Sequence, residues 1–286
     1  MQTVRLLFIA KYRLASACIS LHWDHMLVDV DHTVIISPLS KEFLWMVFDK
    51  HNIDTSRFEH VNDHDFLPNY PEIQHWSIPG DYRGWWLYQQ AIKLSAVDYL
   101  DYPCMLIQDP DTFMIKPYQV WNNDVLNLLA IENTTHSRGY YEVLQNALGI
   151  ERQTSHCFVT EFCACVKQDF VQLKQQLQQR NQCHWLDAII NNVPLESSFR
   201  SEFPDEMVKW FSEYELLGNW GMTQRPVSIE FQRRFEFKSL QQLHNIDLDC
   251  NAVADAIPFE HSFQMDWDNN QVKDFDHWLT VINSAL

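Results

Sequence analysis

Basic residues are scarce in this chain: 21 lysines and arginines stand against 38 aspartates and glutamates, a formal net charge of −17 at pH 7. That balance disfavours a protein that grips a nucleic-acid backbone regardless of sequence, which needs a continuous basic stripe. It leaves room for a local basic pocket around one nucleotide. Glycine is scarcer still, with six in 286 residues, and together with 11 prolines this excludes collagen-like and Gly/Ser-linker chains. No apolar run approaches the ~18–20 residues of a transmembrane helix. The opening apolar run, residues 4–10, is followed rather than preceded by Lys11 and Arg13, the wrong order for a secretory signal. The expectation is a soluble, cytoplasmic protein. The seven cysteines form no CxxC pair, and the single CxC, Cys163 and Cys165, has no second pair at zinc-site spacing. On a strand those two side chains share a face, as buried small hydrophobes do, and free thiols suit a reducing compartment.

What is present is material for a core: 46% of the residues are hydrophobic and 14% aromatic. This supports one large domain over residues 1–286 and argues against disorder. Strand-length apolar runs at 3–9, 33–36, 104–108, 125–131 and 158–166 alternate with helical patterns. The helices are expected at 14–23, 40–50, 85–99, 140–148, 169–180 and 185–191. Ser40 and Asp169 are placed to cap two of them, and Gly149 to close another. Residues 61–79 read mostly as loop, 227–237 as a strand and 272–282 as an amphipathic segment. Such alternation with near-continuous apolar strands predicts an α/β fold with a mainly parallel sheet.

The chemistry concentrates at one strand end, Leu106-Ile107-Gln108-Asp109-Pro110-Asp111. In open α/β sheets ligands bind beyond the carboxyl ends of strands. Two carboxylates two positions apart suit a hard divalent cation and leave positions for substrate phosphates. Pro110 stiffens the turn between them; a plain Asp-Pro turn is the bland alternative. Haloacid-dehalogenase-like phosphatases also carry two aspartates two apart at a strand end. Their motif wants Thr or Val where this chain has Phe113, and it sits on the first strand. One helix earlier come Gln89, Gln90 and Lys93, and Gln90 and Lys93, three apart, share a helical face. A lysine there neutralises diphosphate charge or simply snorkels. Glu213 and Glu215, two apart, face the same way if their segment is extended.

These features together resemble the bacterial and viral GT-A-type glycosyltransferases of the DUF6492 group. The matching elements are Gly84-Trp85…Gln89-Gln90…Lys93-Leu94, Asp109-Pro110-Asp111, Leu148-Gly149, Trp185-Leu186 and Phe211-Ser212-Glu213-Tyr214-Glu215-Leu216-Leu217-Gly218. They span about half the chain, and Pro110 replaces the more usual serine. The resemblance implies a GT-A-like (Rossmann-like, nucleotide-diphospho-sugar transferase) fold, a mainly parallel sheet flanked by helices. Residues 1–125 would form mainly the donor-binding half and 126–286 mainly the acceptor half. It implies sugar transfer from a nucleoside diphosphate sugar to a hydroxyl acceptor, a glycan or another small compound; an inverting mechanism would need a carboxylate base, and a retaining one would not. Gly84, Trp85, Gln89, Gln90, Lys93 and Asp109 would bind the donor. Asp109 and Asp111 would hold Mn²⁺ or Mg²⁺, Asp111 most directly, and His244 or His261 would complete the site. Glu213 or Glu215 would take the acceptor's proton, with Asp187 as a rival base.

Two other functions compete. A transferase acting on a hydroxylated DNA base would use Arg225, Arg233 and Arg234 as a basic strip, against the overall charge. A non-catalytic sugar- or nucleotide-binding module would not need the intact carboxylates. The runs His22-Trp23-Asp24-His25 and His60-Val61-Asn62-Asp63-His64 look metal-like but match no metal motif, and surface positions account for them. Trp85, Trp86, Trp210 and Trp220 flank the expected site, where they would stack on a sugar or base, or pack in the core.

Overall fold

The computed structural model describes residues 2–66, 84–114, 116–131, 138–197, 207–231, 256–258 and 265–285. Its centre is a five-stranded sheet of β1 (Thr3–Phe8), β2 (His32–Ser37), β3 (Phe58–Asn62), β4 (Cys104–Gln108) and a later strand, Phe162–Val166. The spatial order is β3-β2-β1-β4 and then Phe162–Val166; the first four are parallel and the last runs antiparallel to β4. Between β4 and Phe162–Val166, which is β8, lie β5 (Thr112–Met114), β6 (Trp121–Asn122) and β7 (Val125–Ala130). After β8 come β9 (Leu195–Ser197), β10 (Met207–Lys209), β11 (Val227–Phe231), β12 (Ala256–Pro258), β13 (Met265–Asp266) and β14 (Gln271–Val272).

The pleat explains the layering. Alternate residues of β1 feed two cores: Val4, Leu6 and Phe8 point to one face, Leu7 and Ile9 to the other. Helices α1 (Leu14–His22) and α2 (Lys41–Lys50), with the C-terminal α8 (Phe275–Ala285), cover the Leu7 face. Helices α3 (Gly84–Tyr99), α5 (Lys167–Asn181), α6 (Trp185–Asn191) and α7 (Glu213–Gln224) cover the Val4 face. Between these lie α4 (Arg138–Val143) and a wide helical turn, Leu144–Leu148, closed by Gly149 at φ 73°.

Most expected elements are found. Ser40 caps α2, accepting from the amide of Phe43 at 3.3 Å. Asp169 does not cap α5, because that helix begins at Lys167, and its buried carboxylate instead takes the guanidinium of Arg225. The segment holding Glu213 and Glu215 is not extended but the first turn of α7. Ser212 caps it, accepting from Glu215 N at 3.3 Å. The Ser-x-x-Glu spacing of Ser212 and Glu215 is the sequence signature of a helix start. Strand β3 begins inside a stretch without strand signals; being half-buried at the sheet edge, it needs none.

Candidate functional site

The chain winds from β1 to β2 to β3 in one direction, then α3 carries it back across to β4 on the other side of β1. The sheet's switch point therefore lies between the carboxyl ends of β1 and β4, where open α/β sheets leave a crevice for ligands. Asp109, Pro110 and Asp111 leave β4 at this place, and the loop Lys11–Arg13 leaves β1 beside them. Gln108 anchors the turn: its amide donates to Ser20 Oγ of α1 at 2.9 Å and to the Thr112 carbonyl at 2.6 Å. The Asp109 amide donates to the carbonyl of Glu161 at 3.0 Å, and Glu161 itself adopts a left-handed φ of 65°. A non-glycine residue held there is a local strain of the kind that collects at functional sites.

Behind the turn lies a buried ionic cluster. Lys93 Nζ donates to Asp109 Oδ1, to Glu213 Oε1 at 2.6 Å and to the Tyr214 hydroxyl at 3.0 Å. Gln89, one helical turn before Lys93, donates to Asp109 at 3.2 Å. Gln90 Oε1 accepts from the Glu213 amide at 3.0 Å and so ties α3 to the start of α7. The Lys93 side chain is only 3% exposed. Burial alone would lower its pKa, but Asp109 and Glu213 outweigh that and hold it above the ordinary lysine range. Burial works to raise Asp109, yet Lys93 prevails and keeps it well below the usual carboxylate range. For Glu213 burial wins over Lys93 and the pKa is raised.

Glu215 points elsewhere, since residues two apart on a helix do not share a face. It is buried, accepts from the Phe158 amide at 3.0 Å and from Asn219 Nδ2 at 2.9 Å, and burial raises its pKa. Both glutamates are thus enclosed and engaged, one by Lys93 and one by the backbone before β8. Asp187 lies in the first turn of α6, which packs against α5. Gly84 opens α3, and the side chain of Trp85 lies outside the described residues, as do His244 and His261. Trp86 packs with Tyr140 and Trp210, ring centroids 5.7–6.4 Å apart, next to the Gln89–Lys93 turn. Trp220 is a core residue whose indole donates to the Asp169 carbonyl at 2.8 Å. Arg225 is committed to Asp169, while Arg233 and Arg234 lie outside the described residues.

Asp111 Oδ2 accepts from Arg13 Nη1, a contact between the β4 turn and the β1 loop that the sequence reading missed. The two carboxylates of the turn offer oxygen donors of the kind a hard divalent cation takes. Each already faces a cation of the protein, Lys93 or Arg13, and no cluster of three metal-ligating side chains forms among the described residues. The donor chemistry fits such an ion at Asp111, with Arg13 as its competitor. Among the described residues no helix is long and apolar enough to cross a membrane.

Comparison with known proteins adds a family and a fold. The model of a family of unknown function, DUF6492, matches residues 29–285. No curated protein matches. Mouse xyloside xylosyltransferase 1, in its apo form, superposes with a TM-score of 0.50 at 8% identity, over 91% of this chain and 98% of that one. The galactosyltransferase LgtC, in complex with donor and acceptor sugar analogs, gives a TM-score of 0.45 at 11% identity over 98% of this chain and 95% of that one. At these identities the likeness is one of fold: a mixed α/β architecture with a mostly parallel central sheet flanked by helices, as in GT-A glycosyltransferases.

Proposed function

This chain belongs to DUF6492, a family of unknown function, and from that premise we propose that it is a metal-dependent glycosyltransferase moving a sugar from a nucleoside diphosphate donor to a hydroxyl acceptor, a glycan or another small compound. One observation carries the reading. Two carboxylates stand at the switch point of the sheet, and two distant helices converge to hold the first of them: Gln89 and Lys93 of α3 touch Asp109, and Glu213 of α7 backs Lys93. A bound Mn²⁺ or Mg²⁺ would offset charge on the departing diphosphate. Asp111 is the residue that would hold it, and Asp109, fixed by Lys93 and Gln89, would orient the donor beside it. Lys93 acts through Asp109 rather than on the diphosphate, because its ammonium is buried and shared between two carboxylates. Glu213 is the counter-ion of Lys93, and in that position it is not free to take the acceptor's proton. Trp86, part-exposed over the buried Tyr140 and Trp210, is the aromatic face that would stack on a sugar ring.

Thermal-shift measurements with a panel of nucleoside diphosphates and their sugars, with and without Mn²⁺, test the reading. Ligands that bind only the folded state raise the melting temperature by mass action. At least one nucleotide should stabilise the wild type in a Mn²⁺-dependent way, and Asp111→Asn should abolish that shift without lowering the melting temperature of the free protein. If EDTA and the substitution both leave nucleotide binding unchanged, the metal assignment fails.

A further inference from the structure

The turn's two carboxylates are held from opposite sides. Asp109 is gripped from within by Lys93, 3% exposed and shared with Glu213. Asp111 is gripped across the crevice by Arg13, whose side chain is 24% exposed, against 10% for Asp111 itself. The inner cation is locked in place, whereas the outer one sits on a short loop between β1 and α1. That turn runs straight into α1, the Arg13 amide donating to the Ala10 carbonyl at 2.9 Å, and its Lys11 packs over the Trp267 ring. Arg13 thus offers an anion a part-exposed guanidinium beside the end of β4.

We propose that Arg13 is an exchangeable counter-ion: it pairs with Asp111 in the donor-free protein and transfers to the donor's diphosphate when a divalent cation takes Asp111. The proposal rests on the transferase reading above. A guanidinium and a metal ion compete for the same carboxylate oxygens and repel each other. A divalent cation arriving alone would meet Arg13 on Asp111. Arriving with a diphosphate, it supplies the guanidinium with a new anion of matching geometry, since the planar fork of arginine pairs phosphate oxygens two at a time. Metal and nucleotide therefore strengthen each other's binding, and by linkage they do so by the same factor. Lys93 has no such freedom, because moving it would leave Asp109 and the buried Glu213 facing each other without a counter-ion.

The test uses the full chain as wild type, Arg13→Gln and Arg13→Lys. Mn²⁺ affinity without nucleotide is read by electron paramagnetic resonance, and affinity for UDP, GDP, CDP and ADP with and without Mn²⁺ by calorimetry. For Arg13→Gln, Mn²⁺ alone should bind about tenfold more tightly and the preferred nucleoside diphosphate with Mn²⁺ about 10- to 100-fold more weakly, the worth of a charge-assisted hydrogen bond. Arg13→Lys keeps the charge and loses the fork, so its diphosphate affinity should fall severalfold. It decides the matter if the glutamine variant does not fold. Unchanged or weaker Mn²⁺ binding in Arg13→Gln overturns the exchange, and so does unchanged diphosphate affinity in either variant, while the transferase reading stands. A wild type that binds none of the four nucleotides at any Mn²⁺ concentration overturns the transferase reading, and the exchange with it.

Discussion

Lys93 sits between two carboxylates out of contact with water, and removing one member of a buried ionic group leaves the others uncompensated. Lys93→Met should therefore cost about 3–5 kcal/mol at neutral pH, read from urea unfolding. Because the folded pKa of Lys93 is raised, its stabilisation is fully present below the unfolded lysine value of about 10.4 and is lost as pH climbs through the folded value. The gap between wild type and Lys93→Met should accordingly narrow above about pH 10.4. A gap that is small at neutral pH, or constant into alkali, would mean that the ammonium contributes little. Thiol chemistry gives a second check. Burial pushes Cys104 up to about 12, and it raises Cys18, Cys163 and Cys165 as well. Among the six described cysteines, Cys183 alone is part-exposed and should react readily with a disulfide reagent, the others only as the protein unfolds.

Helix α7 connects the ionic cluster to the core, and two of its glycines make opposite demands. A Cβ built at Gly218 would meet the ring of Phe158 at 2.4 Å, whereas one built at Gly221 meets nothing within 4 Å. Gly218→Ala should destabilise by about 1–3 kcal/mol through overpacking. Gly221→Ala should stabilise by up to about 1 kcal/mol, the helix-propensity difference. Thermal unfolding of the two variants reads the contrast in sign, and equal effects would show that Phe158 yields. The helix was hidden in the sequence because Glu213-Tyr214-Glu215 alternates like a strand. Its real markers are the Ser212 cap and the spacing of Tyr214, Leu217 and Gly218 on the face that meets β8 and Phe158. Strand β3 illustrates the converse: at the sheet edge, half-buried and polar, it is set by pairing with β2 rather than by its own pattern.

Across the whole molecule the charge of −17 sets what the surface attracts. The strip needed for a DNA-modifying reading is weakened where it is described, since Arg225 is bonded to the buried Asp169. Duplex DNA should migrate unretarded with this protein at low salt in a gel-shift experiment; retardation that disappears with added salt would revive that reading.

Local chemistry made several features legible in the sequence itself: apolar runs of strand length, a serine that caps α2, Gly149 at a helix end, and an aspartate pair where a buried strand stops. Each depends on residues a few positions apart, whose burial and backbone preference are encoded where they stand. Gln89, Gln90, Lys93 and Asp109 were also singled out together for the donor, and Glu213 separately for the acceptor, but not the contacts that join them. Lys93 finds Glu213 at 120 residues' separation, and Arg13 finds Asp111 at 98. Those partners were decided by the crossover that places β4 beside β1 and by the packing of α7 against α3 and β8. Periodicity states which side of an element is buried; it does not state which other element lies there, and for a charged side chain the identity of that neighbour decides what it does.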